Sequence, residues 1–356
     1  MARQSEVQPP LRGRAAETAA LASVLAAARA GDGAALILVG ATGTGKSALL
    51  SAAAAEADGF LVLATSGSPN ETDLPYAGLR RLLDPVTGEE TSPAGALALL
   101  RQQERILVIV DDVHHLDRAS ADTLSYLARR LDNTAIGMVL ALDPADGGDV
   151  LDRTIPRRTL PPLDERAGRA LLDDLSPGGL AGDVADALVA IAAGNPLALV
   201  DLARSLTPEQ VRGEQAPPVT LPPGSRLLAA HRDRLSALPP AARWLTLLVA
   251  ADEELTTHEL ADAARRSATD LRALDAAVAA GIVRVDADRV LVNDPLLRQV
   301  AYHDAGLADR LAAHRVLADV TAGGVDRLRH LLHRADAPDG RDTRPARLLA
   351  RAARAG

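Results

Sequence analysis

The segment GATGTGKS at residues 40–47 most constrains what this chain can fold into. It follows a short apolar run, AALILV at residues 34–39, and precedes SALLSAAAAEA, whose composition is typical of a helix. The glycines let several backbone N–H groups point at one concavity, and the positive end of the helix attracts anions there. The pattern G-x-x-x-x-G-K-S in this context predicts a strand, a phosphate-binding loop and a helix.

Lys46 is the single lysine among the 39 basic residues of the chain. A skew of codon usage towards arginine explains the missing lysines elsewhere, but it does not explain why one remains inside the loop. A compact ammonium on a flexible stem can bridge phosphate oxygens where a wide, planar guanidinium cannot. We expect the β- and γ-phosphates of a nucleotide to be held by the loop residues Gly40, Ala41, Thr42, Gly43, Thr44, Gly45, Lys46 and Ser47.

Two adjacent acids, Asp111 and Asp112, end the apolar run ILVIVDD. A carboxylate at the carboxyl end of a parallel strand beside a phosphate loop can hold Mg²⁺ through water, and Asp111 is our candidate, with the Ser47 hydroxyl as a second metal ligand. Asp112 is then placed to orient a water molecule, so Asp112 and Lys46 are the candidate catalytic residues. The alternative is that the two acids simply end a strand at a solvated turn.

Further apolar runs at residues 60–65 and 137–142 predict two more strands, and helices alternate with them, including one at residues 74–83. Such alternation predicts an α/β fold with a parallel sheet and helices on both faces, here an α/β P-loop NTPase. His114 and His115 follow the two acids without a cluster of metal ligands nearby, which favours a local structural role.

The pattern changes in the second half of the chain. Residues 163–206 show helices and no strand, and the proline-rich segment 207–225 is typical of a linker. Helices near 225–237, 240–251, 256–265 and 268–280 then lead into a hairpin at 282–292. We therefore predict an NTPase core at 1–160, a helical lid at 161–212, a winged-helix domain at 213–305, and the start of a helical repeat at 306–356, cut from a longer chain.

Charge and composition exclude several classes of protein. The net charge is −8, which disfavours nucleic-acid binding by this chain. The absence of cysteine excludes disulfides, thiolate zinc sites and cysteine nucleophiles. No apolar run approaches the roughly 20 residues that span a bilayer, and no signal peptide is apparent. We expect a cytoplasmic protein that makes no contact with a membrane.

Several segments, in this order, resemble one family. They are LRGRAAE at 11–17, the phosphate loop, LPYAGLRRLL at 74–83, VDDVHHLDRASADTLSYLARRL at 110–131, LPPLDERAGRALLDDL at 160–175, GNPLALVDLARSL at 194–206 and DPLLRQVAY at 294–302. Together they are similar to the ATPase portion of large LuxR-type transcriptional regulators of actinobacteria, within the STAND class (signal-transduction ATPases with numerous domains). GNPLAL and PLLRQVAY are more particular to this family than the loop.

The resemblance implies a switch between ADP and ATP. By it, Arg14 lies near the nucleotide base or phosphates, and Pro196 contacts the adenine from the lid. ADP holds a closed state, and ATP with Mg²⁺ opens it and permits self-association. DNA is bound only through a LuxR-type domain that residues 1–356 do not include.

Two further positions depart from the family pattern. An arginine-aspartate pair that senses the γ-phosphate usually follows the fourth strand, whereas Leu142 and Asp143 stand here. A histidine usually precedes the proline of the PLLR motif, and Asp294 occupies that place.

The sequence therefore favours an ATP/ADP-dependent regulatory switch with slow or absent hydrolysis. The alternatives are a degenerate, non-hydrolysing interaction module and a stand-alone ATPase that loads or remodels other molecules.

Overall fold

A computed structural model of the chain describes residues 11–87, 92–144, 150–322 and 327–336. Its backbone contacts divide the chain into two compact units, Met1–Pro217 and Pro218–Gly356. The division falls inside the proline-rich segment 207–225, where Pro217 and Pro218 meet.

A five-stranded sheet forms the centre of the first unit, with the strand order β2-β3-β4-β1-β5. Its strands are β1 Ala34–Val39, β2 Leu61–Ser66, β3 Ile106–Asp111, β4 Ile136–Leu142 and β5 Arg157–Thr159. Every neighbouring pair is parallel. The parallel α/β fold and the four strands expected from the apolar runs are therefore confirmed.

Helices flank this sheet and continue beyond it in the first unit. They are α1 Ala15–Ala30, α2 Lys46–Ala55, α3 Ala77–Leu83, α4 Pro93–Arg101, α5 Arg118–Ala128, α6 Glu165–Leu175, α7 Gly182–Ala192, α8 Pro196–Ser205 and α9 Pro208–Val211. Helices α6 to α9 occupy the segment predicted as a lid and the start of the predicted linker.

The central strands are buried on both faces. In β3, Ile106, Val108 and Val110 belong to one apolar cluster, which includes side chains of α3, α4 and α5. Leu107 and Ile109 belong to the opposite cluster with side chains of α1 and α2. Because successive side chains of a strand point to opposite faces, an unbroken apolar run supplies both layers of core.

Two local predictions in this unit were wrong or incomplete. The helix expected at 74–83 begins at Ala77, because Tyr76 adopts a left-handed conformation and the Asp117 carboxylate accepts hydrogen bonds from the N–H groups of Tyr76 and Gly78 at 2.7 and 3.2 Å. Strand β5 was missed because its three residues, Arg157 to Thr159, are exposed and polar and show no apolar periodicity.

The second unit consists of helices and a two-stranded antiparallel sheet. Its elements are α10 Arg226–Ser236, α11 Pro240–Ala251, α12 Thr257–Arg266, α13 Leu274–Ala279, β6 Val283–Asp286, β7 Arg289–Val292, α14 Pro295–His303, α15 Leu307–Thr321 and α16 Arg327–Asp336. The predicted hairpin is confirmed, with Val283 opposite Val292. The capping box at the start of α12 is also present, with reciprocal contacts between Thr256 and Glu259.

The helix expected at 268–280 is shorter than predicted. Asp270 accepts a hydrogen bond from the N–H of Arg272 and starts a 3₁₀ turn at Leu271–Ala273, so that the α-helix proper is α13. The predicted tail at 1–10 and the segment 337–356 lie outside the described residues. Within the described ranges, no helix is both long and apolar enough to cross a membrane.

Candidate functional site

The loop at residues 40–47 joins the end of β1 to the start of α2, at the carboxyl edge of the sheet. Gly43 and Gly45 have φ values of 82° and 98°, in the left-handed region that favours glycine. Gly45 is the N-cap of α2, and the N–H of Leu49 bonds the Gly45 carbonyl as the first turn of the helix closes. The N–H groups of Lys46, Ser47 and Ala48 therefore have no partner within the helix and are directed towards its N-terminus.

Lys46 is buried under the loop that it belongs to, with 7% of its surface exposed. Its ammonium donates hydrogen bonds to the carbonyls of Gly40 at 2.6 Å and Ala41 at 3.1 Å. An ammonium has three donors on one compact centre, so it can hold loop carbonyls and still turn a donor towards an anion.

The next three carbonyls of the loop are each held by a donor from outside it. Thr42 O accepts from Asn195 Nδ2 at 2.9 Å, Gly43 O from the N–H of Leu197 at 3.2 Å, and Thr44 O from Arg14 Nη2 at 2.9 Å. In a planar trans peptide the C=O and the next N–H point in opposite directions. Fixing these carbonyls therefore fixes the direction of the N–H groups that follow them.

The structure brings Ser47 and Asp111 together, as the sequence predicted. Ser47 Oγ donates to Asp111 Oδ2 at 2.6 Å, across 64 residues of sequence, and Asp111 Oδ1 accepts from the N–H of Asp112 at 2.9 Å. A hydroxyl and a carboxylate oxygen are ligands that Mg²⁺ accepts, and this ion commonly uses one or two protein oxygens together with phosphates and water. The two side chains fit a Mg²⁺ site shared with a phosphate.

Asp112 adopts a left-handed backbone conformation, with φ 46° and ψ 47°, immediately after β3. Aspartate tolerates this region better than most residues. Burial raises the pKa of the Asp112 carboxyl, and the neighbouring Asp111 raises it further, while His114, Lys46 and His115 act in the opposite direction. A carboxylate with a raised pKa is a stronger base, which suits the role predicted for Asp112.

Asp143 follows β4 where the family resemblance places the aspartate of an arginine-aspartate pair, and Leu142 takes the place of the arginine. It is 4% exposed, its Oδ2 accepts from Thr42 Oγ1 at 3.1 Å, and its N–H donates to His114 Nδ1 at 3.3 Å. Sequence reasoning noted at this place only that the arginine is missing, and it missed the contact of Asp143 with the phosphate loop.

Arg14 is buried, with 3% of its surface exposed. Its guanidinium donates to Pro161 O at 2.7 Å and Thr44 O at 2.9 Å, so it joins the N-terminal segment to the phosphate loop. Burial lowers the pKa of this guanidinium, and Glu17 partly offsets that effect. Pro196 is the first residue of α8, next to Asn195. Contacts of Arg14 or Pro196 with a nucleotide remain predictions.

Gly67 is a further residue that sequence reasoning missed. It follows β2, its N–H bonds the Asp111 carbonyl at 2.9 Å, and a Cβ added to it would lie 2.2 Å from the Asp112 carbonyl. Only glycine leaves room for the turn that carries Asp112.

Comparison with known proteins agrees with this geometry. Residues 10–95, which include the phosphate loop, match the AAA ATPase domain family. This region is part of an AAA-type P-loop ATPase domain. No curated protein matches the chain.

Solved structures similar to this chain include two with a TM-score of 0.55. The Walker-type ATPase PABY2304 of Pyrococcus abyssi is 12% identical, and the alignment covers 83% of this chain and 99% of that one. The ORC2 protein of Aeropyrum pernix, solved as ADPNP-ADP complexes, is 17% identical, with 90% and 98% covered. At these identities the likeness shows the fold alone. A STAND protein with a tetratricopeptide repeat sensor, PH0952 of Pyrococcus horikoshii, aligns with a TM-score of only 0.39 at 13% identity, covering 94% of this chain and 50% of that one.

Proposed function

We propose that the chain is the ATP/ADP-dependent switch module of a signal-responsive, LuxR-type transcriptional regulator, binding Mg-ATP with slow or absent hydrolysis. The observation that carries the nucleotide part is the loop itself: a buried Lys46 under a glycine-rich turn, with Ser47 and Asp111 in contact beside it. This arrangement supplies N–H donors and a cation for phosphates, and oxygen ligands for Mg²⁺.

Each loop residue has a role in this proposal. The N–H groups of the loop and the ammonium of Lys46 bind the phosphates, and Ser47 and Asp111 hold the Mg²⁺ that accompanies them. The metal neutralises phosphate charge when it is bound. Asp112 orients the attacking water, and its raised pKa keeps it able to accept a proton.

The regulatory part rests on the family resemblance and on the order of elements. Three helices, α10 to α12, precede α13 and the β6–β7 hairpin, an order that suits a winged helix at 213–305. Within the proposed plan, 1–160 is the core, 161–212 the lid, and 306–356 the start of a helical repeat sensor. Arg14 and Pro196 are the proposed contacts to the nucleotide from outside the loop. Self-association in the ATP state and DNA binding through a further LuxR-type domain, in the cytoplasm, complete the proposal.

A degenerate, non-hydrolysing interaction module is the second candidate. Leu142 favours it, because this residue, 1% exposed at the end of β4, stands where the family resemblance places the arginine that senses the γ-phosphate. Without that arginine the site lacks a cation that would stabilise the negative charge that develops on the γ-phosphate during hydrolysis. The intact pair of Asp111 and Asp112 favours the switch.

Analysis of the nucleotide bound to the purified protein tests whether the chain has a nucleotide-dependent function of either kind. We expect protein denatured after purification, or after incubation with Mg-ATP, to release adenine nucleotide on chromatography, and Lys46→Ala protein to release none. Wild-type protein that carries no nucleotide and binds neither added ATP nor added ADP would contradict the proposal. Turnover well above about 1 per minute, within the range of ordinary enzymes, would instead favour a dedicated ATPase.

A further inference from the structure

Two of the three outside donors on the phosphate loop come from the same short stretch at the start of α8. Asn195 Nδ2 holds Thr42 O at 2.9 Å, and the N–H of Leu197 holds Gly43 O at 3.2 Å. A Cβ added to Gly43 would lie 2.6 Å from Asn195 Oδ1. The loop and the N-terminus of α8 are therefore in direct contact, with no space for an intervening side chain.

Asn195 uses both ends of its amide in this contact. Its Oδ1 accepts from the N–H of Ala198 at 3.2 Å and caps α8, while its Nδ2 donates to the loop. Only a side chain with an acceptor and a donor on one planar group performs both tasks at once. Aspartate and serine can cap the helix, but aspartate has no donor, and serine is too short to reach both partners.

The segment before Asn195 is also fixed. Gly194 has φ 76°, its carbonyl accepts from the N–H of Leu163 at 2.8 Å, and a Cβ on it would lie 2.5 Å from the Leu163 carbonyl. Asn195 itself is 9% exposed. The amide is thus held on a rigid turn and has little freedom to leave the loop.

We propose that Asn195 is a positioning residue that clamps the phosphate loop to α8 and so couples phosphate binding to the lid. The inference rests on the proposed nucleotide binding at residues 40–47. With the clamp in place, the loop carbonyls face outward and the N–H groups are organised before the nucleotide arrives. Without the clamp the loop samples other conformations. The apparent affinity for nucleotide then falls in proportion to the fraction of molecules whose loop is in the binding conformation.

Two variants remove the clamp and keep the helix cap. Asn195→Asp is nearly isosteric and loses the donor, and Asn195→Ser loses the donor without adding charge. Asp164→Asn is the matched control: Asp164 caps the neighbouring helix α6 by accepting from Ala167 at 2.7 Å, and asparagine retains that acceptor. All three proteins and the wild type are titrated calorimetrically with Mg-ADP and Mg-ATP, and melted without nucleotide.

Both Asn195 variants are expected to bind nucleotide about tenfold more weakly, the worth of one hydrogen bond at the upper end of its usual range. The melting temperatures of both Asn195 variants without nucleotide should stay close to that of Asp164→Asn. The nucleotide affinity of Asp164→Asn should equal that of the wild type. Hydrogen exchange of the Leu197 amide measures the coupling between phosphate binding and the lid directly. Nucleotide should slow its exchange in the wild type and leave it unchanged in both variants.

Three results would overturn the clamp. If Asn195→Ser binds like the wild type and only Asn195→Asp is weak, charge repulsion and not the lost donor is responsible. Higher affinity in Asn195→Ser would mean that the contact holds the loop closed to nucleotide. A melting temperature of Asn195→Ser well below that of Asp164→Asn without nucleotide would mean that Asn195 supports the fold, and that the loss of affinity follows from lost stability and not from the lost clamp. Failure of the wild type to bind any nucleotide instead removes the proposed function, and the coupling with it.

Discussion

Replacing Arg14 by methionine tests whether this guanidinium supports the phosphate loop or acts on the nucleotide. Methionine keeps much of the apolar stem and removes every donor. The carbonyls of Pro161 and Thr44 then lose their partners at a buried site, since Arg14 is only 3% exposed. A buried acceptor left without a donor costs about 1–3 kcal/mol. Relief from burying a charge offsets part of that cost, since burial already lowers the pKa of Arg14.

The expected loss is about 2–4 kcal/mol of unfolding free energy for the first unit, before any nucleotide is added. For a unit of this size, 1 kcal/mol shifts the melting temperature by about 2–4 °C, so a fall of about 5–15 °C is expected. Thermal denaturation followed by circular dichroism, with and without Mg-ADP, measures it. Unchanged melting without nucleotide, combined with lost nucleotide affinity, would refute the supporting role and leave only the proposed contact of Arg14 with the nucleotide.

Three other predictions concern acid stability, a close backbone contact and the proposed catalytic carboxylate. Burial lowers the pKa of His314, so the unfolded chain binds that proton more tightly and stability should fall as the pH drops below about 6.5. Burial acts to raise the pKa of the Asp252 carboxyl, but hydrogen bonds from His333 and Arg329 outweigh it and leave the pKa lowered. The stability that this carboxylate contributes is therefore present above about pH 3.9 and is lost as the pH falls through the pKa of the folded state. Melting temperatures should therefore decrease from pH 8 to pH 5 through His314 and decrease further below about pH 3.9 through Asp252, and a flat profile in either window would contradict the corresponding assignment. Gly67→Ala should cost about 1–3 kcal/mol by overpacking against the Asp112 carbonyl, measured by urea denaturation, and an unchanged midpoint would show that the turn yields easily. Asp112→Asn should bind Mg-ATP within about threefold of the wild type, because an isosteric group that makes no ground-state contact changes binding little. The same variant should lower any steady-state hydrolysis. Equal turnover by both proteins would show that Asp112 has no part in catalysis.

The parts of the fold that local patterns encode were predictable from the sequence. Apolar runs marked β1 to β4. The central strands β3 and β4 are buried on both faces and carry few polar interruptions, whereas β2 lies at the edge of the sheet and was marked by its apolar start. The motif at 40–47 and the acids after β3 predicted that Ser47 and Asp111 would meet, since parallel strands bring their carboxyl ends to one edge.

What could not be predicted depends on partners distant in sequence. Asp143 contacts Thr42 across 101 residues, and Asn195 contacts the same residue across 153. Neither residue stands out by periodicity or by its immediate neighbours. The late start of α3 has the same origin, because Asp117 holds the N–H of Tyr76 from 41 residues away.

Calorimetric titration of wild-type and Lys46→Arg protein with Mg-ATP tests the central claim most directly. Arginine keeps the charge but not the compact ammonium that reaches under the loop, where Lys46 lies 2.6 Å from the Gly40 carbonyl. The wild type should bind one nucleotide per chain. Lys46→Arg should bind it about 10- to 100-fold more weakly, the worth of a hydrogen bond to a charged group. Equal binding by both proteins would contradict the assignment of residues 40–47 as a phosphate site built around this lysine.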